Sequence, residues 1–101
     1  MVGQGNKRDF KNELFEQFAR IGKAFASGRR LELVELLAQK DRTVEDLARL
    51  SDMSVANTSQ HLKVLREAWL IRGDNEGPAM NYCLNREALK WLAEQLHRLA
   101  D

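Results

Sequence analysis

The 101 residues include a single cysteine, Cys83, so no internal disulfide forms and no thiolate cluster can hold a metal within one chain. Proline occurs once, at Pro78, and glycine six times, which leaves most of the chain free to be helical. No apolar run exceeds the four residues Ala68 to Ile71. That is far short of the roughly 20 needed to cross a bilayer, and shorter than the core of a signal peptide. Charge of one sign is also missing. The net charge is +1, which by itself gives no argument for a polyanionic partner. Hydrophobic residues, at 44%, are too frequent for a disordered chain. At this length a single domain is expected over residues 1–101, with residues 1–6 as a disordered polar tail.

The near-zero net charge conceals alternation along the chain. Residues 1–30 carry +4, 31–53 carry −3, 54–73 carry +2 and 74–101 carry −2. Any case for nucleic acid therefore rests on where the basic residues sit.

Apolar residues at Phe10, Leu14, Phe18, Ile21 and Phe25 are spaced by three or four, the stripe of an amphipathic helix. Ser27 is placed to cap a second helix over Arg29 to Gln39, which carries Leu31, Leu33, Val34, Leu36 and Leu37 and should form the buried centre. Thr43 with Asp46 resembles a capping box opening a short helix with Val44, Leu47, Ala48 and Leu50. After Ser51-Asp52-Met53, Ser54 caps a further helix from Val55 to about Ala68. Two short helices so separated have the layout of a helix-turn-helix. Leu70 to Arg72, a turn over Gly73 to Pro78, and Ala79 to Leu84 predict strand, turn and strand, with Met80, Tyr82 and Leu84 on one face. Asn85 caps a last helix striped by Leu89, Leu92, Leu96 and Leu99. The order α-α-α-α-β-β-α, mostly helical with a small hairpin, is that of a winged helix-turn-helix.

In the helix after Ser54, a turn of about 100° per residue puts Val55, Ser59, Leu62 and Arg66 on one line, flanked by Thr58, Leu65 and Trp69. This side is expected to pack. Asn57, Gln60, His61 and Val64 lie opposite. A merely solvated face would favour Glu and Lys, whereas amides, hydroxyls and imidazole suit base edges in a DNA groove. Candidate DNA contacts are thus Ser54, Asn57, Thr58, Gln60 and His61, with Lys63 and Arg72 reaching phosphates.

Leu31-Glu32-Leu33-Val34-Glu35-Leu36-Leu37 followed by Thr43-Val44-Glu45-Asp46-Leu47-Ala48 resembles the ArsR/SmtB family of bacterial transcription regulators. So does Ser54 to Ala68, with its Ser59-Gln60-His61-Leu62-Lys63-Val64-Leu65 centre. The opening Phe15 to Ala24 is also similar to a branch often followed by a rhodanese-like domain, and both a stand-alone member and a fragment of such a fusion stay open. The resemblance implies a bacterial homodimer that binds a promoter and leaves it on sensing a metal, metalloid or sulfur species. It places such a protein in the cytoplasm, on the nucleoid.

Several positions depart from the family pattern. The stretch Thr43 to Leu50 lacks the Cys-x-Cys pair of thiophilic metal sensors, and Glu87 with His97 makes a poor zinc set. No metal and no cofactor is expected. Cys83 is the one candidate redox sensor, set against the plainer reading of an inert strand residue. The turn Gly73 to Pro78 carries Asp74 and Glu76 in place of the basic residues common in family wings. Asp52 stands where the family's turn usually has glycine.

Phe10, Leu14 and Phe18 with Leu89, Leu92 and Leu96 exceed the apolar surface that a small core needs, and predict a two-fold interface of terminal helices. The expected function is a double-stranded DNA-binding repressor acting as a homodimer, with no membrane partner. The alternative is a winged-helix protein-interaction or dimerisation module of a larger assembly. Catalysis is not expected, because the two histidines and Cys83 form no recognisable nucleophile–base set.

Overall fold

A computed structural model describes the backbone of residues 2–76 and 79–100 and the side chains of residues 8–73 and 80–100. Helix α1 runs over Val2–Phe25 and α2 over Gly28–Gln39. Ser27 caps α2 as expected, its hydroxyl accepting from the Arg30 N–H at 3.3 Å. Strand β1, Arg42–Thr43, leads into α3, Val44–Leu50, and Thr43 accepts from the Asp46 N–H at 3.2 Å. Helix α4 spans Val55–Glu67, strands β2 and β3 span Ile71–Glu76 and Ala79–Leu84, and α5 spans Arg86–Ala100. Asn85 caps α5 by accepting from the Ala88 N–H at 3.2 Å.

The architecture is the mostly helical winged helix-turn-helix, with three differences from the sequence reading. The two-residue β1 pairs antiparallel with β3, Arg42 opposite Tyr82 and Thr43 opposite Asn81, giving a three-stranded sheet in the order β1-β3-β2. Two residues are too few for a period to show. Strand β2 continues through Gly73 to Glu76 and pairs with β3 from Ile71–Leu84 to Glu76–Ala79. The expected turn therefore shrinks, and its residues 77–78 lie outside the described ones. Helix α1 also reaches back to Val2, through residues expected as a tail, because no proline interrupts it there.

Leu33, Leu37, Leu47, Leu62, Leu65, Leu70 and Ile71 form the centre, each at most 2% exposed. Burying each such side chain stabilises by about 1.5–3 kcal/mol. Helix α2 is less central than expected, since Leu31 is 48% exposed. Residues Ile21 and Ala24 close the core from α1, and Tyr82 and Leu84 close it from β3. Gln17 is the buried polar tie between α1 and the end of α4, donating to the Ala68 carbonyl at 3.1 Å.

Both ends of the helix-turn-helix stop in the same way. The Met53 N–H donates to the Ala48 carbonyl at 2.9 Å, and the Leu70 N–H donates to the Leu65 carbonyl at 3.1 Å. Each bond closes a Schellman cap around a left-handed residue, Asp52 (φ 56°) and Trp69 (φ 64°). Glycine is the usual occupant of that conformation, and a side chain there costs about 1–2 kcal/mol.

Candidate nucleic-acid interface

Helix α4 is presented by what lies behind it. Thr58, Leu62 and Leu65 are at most 1% exposed and form its packed stripe. In front, Ala56, Asn57, Ser59, Gln60 and Lys63 are exposed, and Ala56, Ser59, Gln60 and Lys63 line a shallow hollow. Ser54 accepts from the Asn57 N–H at 3.0 Å, so one amide at the helix start is already satisfied. Ser54 itself is exposed.

The face is rotated relative to the sequence reading. Thr58 is withdrawn from the candidate contacts, being fully buried with its hydroxyl donating to the Ser54 carbonyl at 2.8 Å. Val64, expected outward, packs against the core, while Val55, Ser59 and Arg66, expected inward, are exposed. The reason is that the packed side extends toward His61 and Val64 and away from Val55, Ser59 and Arg66. It is centred on Thr58, Leu62 and Leu65, which span only about 60° of the helix. Ser59 is the exposed hydroxyl that the sequence reading placed on the wrong side.

Two adjacent arginines at the start of α2 bond to the helices packed around it. Arg29 donates to the carbonyl of Ser51, the last residue around α3, at 2.8 Å and lies 3.6 Å from Glu32. Arg30 donates to the Ala24 and Lys23 carbonyls at the end of α1 and approaches Nδ1 of His61 at 3.3 Å. His61 is half-buried, and its imidazole is held below its ordinary protonation range by burial first, then by the charges of Arg30 and Arg29. Lys63 is exposed near the centre of the front face, and Arg72 is exposed on β2, opposite Cys83 in register. The side chains of Asp74 and Glu76 lie outside the described residues.

The model of bacterial regulatory proteins of the arsR family matches residues 27–72, from the cap of α2 to β2. The arsenical resistance operon repressor of Bacillus subtilis is 34% identical over 86 residues, 84% of this chain and 82% of the relative. This chain belongs to the arsR family. An HTH-type transcriptional regulator of Mycobacterium tuberculosis is 36% identical over all 101 residues, and the chain spans 43% of that relative's length. Among solved structures, the arsR-family chain resembles fragment 1–100 of a possible ArsR-family regulator of Mycobacterium bovis, described as a homodimeric winged helix-turn-helix DNA-binding domain. The TM-score is 0.77 at 36% identity, covering 92% of this chain and 86% of that one.

Among the described residues no group of three or more His, Cys, Asp or Glu side chains could hold a metal ion. Cys83 is half-buried on β3, and the exposed Asn81 and buried Tyr82 and Leu84 around it follow the expected alternation.

The candidate interface residues divide. Phe18, Leu89 and Leu92 are partly buried against the core, and Leu14 is half-buried. Phe10, Leu96 and Leu99 stay 52–62% exposed, and α5 contains no buried residue. Phe15 and Trp69, also more than half exposed, were absent from the sequence list. Between α1, Trp69 and α5 lies a cleft of about 420 Å³ walled by Phe10, Leu14, Trp69 and Trp91, with Gln17 and Arg20 among its polar residues.

Proposed function

We propose that the chain is a sequence-specific double-stranded DNA-binding transcriptional repressor that acts as a homodimer and is released by an inducer. The observation that carries this is the front of α4. Asn57, Ser59, Gln60 and Lys63 stand exposed on a helix held from behind by three residues without solvent access. Asn57 and Gln60 are suited to base edges, Ser59 joins them, and Lys63, Arg72 and the start of α4 at Ser54 face phosphates. The family relatives named as regulators support the same reading. We place its work in the cytoplasm, on the nucleoid, and read it as a binding protein and not an enzyme.

The second copy covers the terminal helices. A radius of gyration of 15.9 Å is well above the roughly 13 Å of a compact 100-residue domain, and the long axis is 52 Å against 27 and 21 Å. Phe10, Leu96 and Leu99 on those helices are apolar and exposed, and the cleft beside Trp69 and Trp91 is open to a partner's side chains. Pairing places two α4 helices against successive half-sites.

The test is titration of the full chain against duplexes that it selects from a random pool, at several salt concentrations. Selected sites should show two related half-sites about one helical turn apart, and affinity should fall steeply with salt, by about 0.9 in logarithmic slope per phosphate contacted. Binding indifferent to both sequence and salt would leave a protein-interaction module as the better description.

A further inference from the structure

Arg30 stands where three helices meet. Its Nε and one terminal nitrogen donate to the carbonyls of Ala24 and Lys23 at 2.8 and 2.9 Å, and its other terminal nitrogen lies 3.3 Å from Nδ1 of His61. A guanidinium has five donors and no acceptor. The contact with His61 is therefore a hydrogen bond only when Nδ1 carries a lone pair, which puts the ring proton on Nε2. His61 sits at the margin of the reading face, about 60° around α4 from the buried Thr58. One edge of its ring is thus occupied by the protein's own arginine, while the residue remains half-exposed.

We propose that Arg30 is a positioning residue that fixes His61 as a neutral imidazole with Nε2–H as its one available donor, so that His61 reads an acceptor on a base edge and does not pair with phosphate. This deepens the DNA-binding reading above and rests on it. The acceptors that such a donor meets in the major groove are N7 and O6 of guanine, N7 of adenine and O4 of thymine. The charges that oppose protonation of the ring, Arg30 and Arg29, both come from α2, and burial acts in the same direction. A neutral Nε2–H lacks the charge that strengthens a phosphate contact, and the DNA arm below separates such a contact from base reading.

The experiment has two arms on the full chain. Long-range proton–nitrogen correlation spectra at pH 7 should show His61 with Nδ1 bare and Nε2 protonated. Arg30→Met should produce a mixture of tautomers, and Arg30→Lys, which keeps a donor, should restore the single form. Observation of Nδ1–H or a doubly protonated ring in the unaltered protein overturns the proposal without any DNA present.

In the second arm, His61→Ala should lower discrimination at one base pair of a selected site by about 2- to 13-fold, as for one hydrogen bond, with the salt slope unchanged. Equal weakening on all sequences identifies a backbone contact and overturns base reading, whether the slope is unchanged, as for a neutral donor, or smaller by about one, as for a cation. Unchanged preference in His61→Ala overturns it as well, while the DNA reading stands. Failure of the unaltered protein to select any sequence overturns both.

Discussion

Gln17 and Ala68 are 51 positions apart and joined by one hydrogen bond, from the Gln17 amide nitrogen to the Ala68 carbonyl at 3.1 Å. The Gln17 carbonyl oxygen accepts in turn from Arg20 at 3.0 Å, so both ends of a 6%-exposed amide are satisfied. The bond ties the first helix to the end of the reading helix. Gln17→Ala should cost about 1–3 kcal/mol, since a carbonyl at a buried cap loses its partner. Urea unfolding measures it, and an unchanged midpoint would remove the tie from the account.

Thr58 gives a prediction of the opposite kind. Its hydroxyl bonds a carbonyl that also accepts from the Thr58 backbone N–H at 2.9 Å, so Thr58→Val leaves that carbonyl satisfied. The expected loss is at most about 1 kcal/mol of stability, with base preference intact. Gln60→Ala should instead weaken specific DNA binding by about 1–3 kcal/mol and relax preference at one position. If Thr58→Val alters base preference, the buried placement of that hydroxyl is wrong.

Asp52 occupies a left-handed position that glycine fills without strain. Asp52→Gly should raise stability by roughly 0.5–1 kcal/mol, the relief of strain less the added freedom of the unfolded chain. Thermal and urea midpoints should both move upward while DNA selection stays the same. A fall in either midpoint would show that the carboxylate contributes something the backbone does not reveal.

Acid should weaken the fold through His61. Its folded-state pKa lies below the ordinary value of 6.5, so the unfolded chain takes up that proton first as pH falls. Between 6.5 and the lower folded value the unfolded state holds more protons, and stability therefore rises with pH across that window. This contribution is complete above 6.5 and is lost as pH falls through the folded value. Urea midpoints at pH 7.5 and 5.5 should fall further for the unaltered protein than for His61→Gln, and equal falls would contradict the assignment.

Charge placed on the terminal helices should separate the copies. Phe10→Glu and Leu96→Glu each put a carboxylate on a residue more than half exposed in a single chain, so the fold should survive. Sedimentation should then report 11.6 kDa in place of twice that mass. A double mass retained in both variants would place the pairing surface elsewhere.

What was legible in the sequence follows the range of the interactions. The caps at Ser27, Thr43, Ser54 and Asn85 bond an amide three residues on, so the residue type and its place before an apolar period were enough. The left-handed place of Asp52 was legible from the resemblance, which puts glycine there. Strand β1 was not, because its partner lies some 40 positions away and its two residues show no alternation. Thr58 was read both on the packing side of α4 and among the DNA contacts, the second because a threonine reads as polar, whereas it hides its hydroxyl against its own helix. The Arg30–His61 contact spans 31 positions and depends on where α1 ends, which no local pattern records. Trp69 was read only as an apolar flank, yet it holds the φ of 64° that closes α4.

Helix α5 has no fully buried side chain and rests on the core of its own chain through the partly buried Leu89 and Leu92 in its first half. A 15-residue helix in that condition has only marginal cohesion by itself in water. Its winding beyond Leu92 is thus bound up with the arrival of a second copy, and dilution should unravel that part of α5 before the leucine-centred body loosens. Protein concentration then acts on DNA occupancy twice over, once by forming pairs and once by completing the structure from which each pair is made.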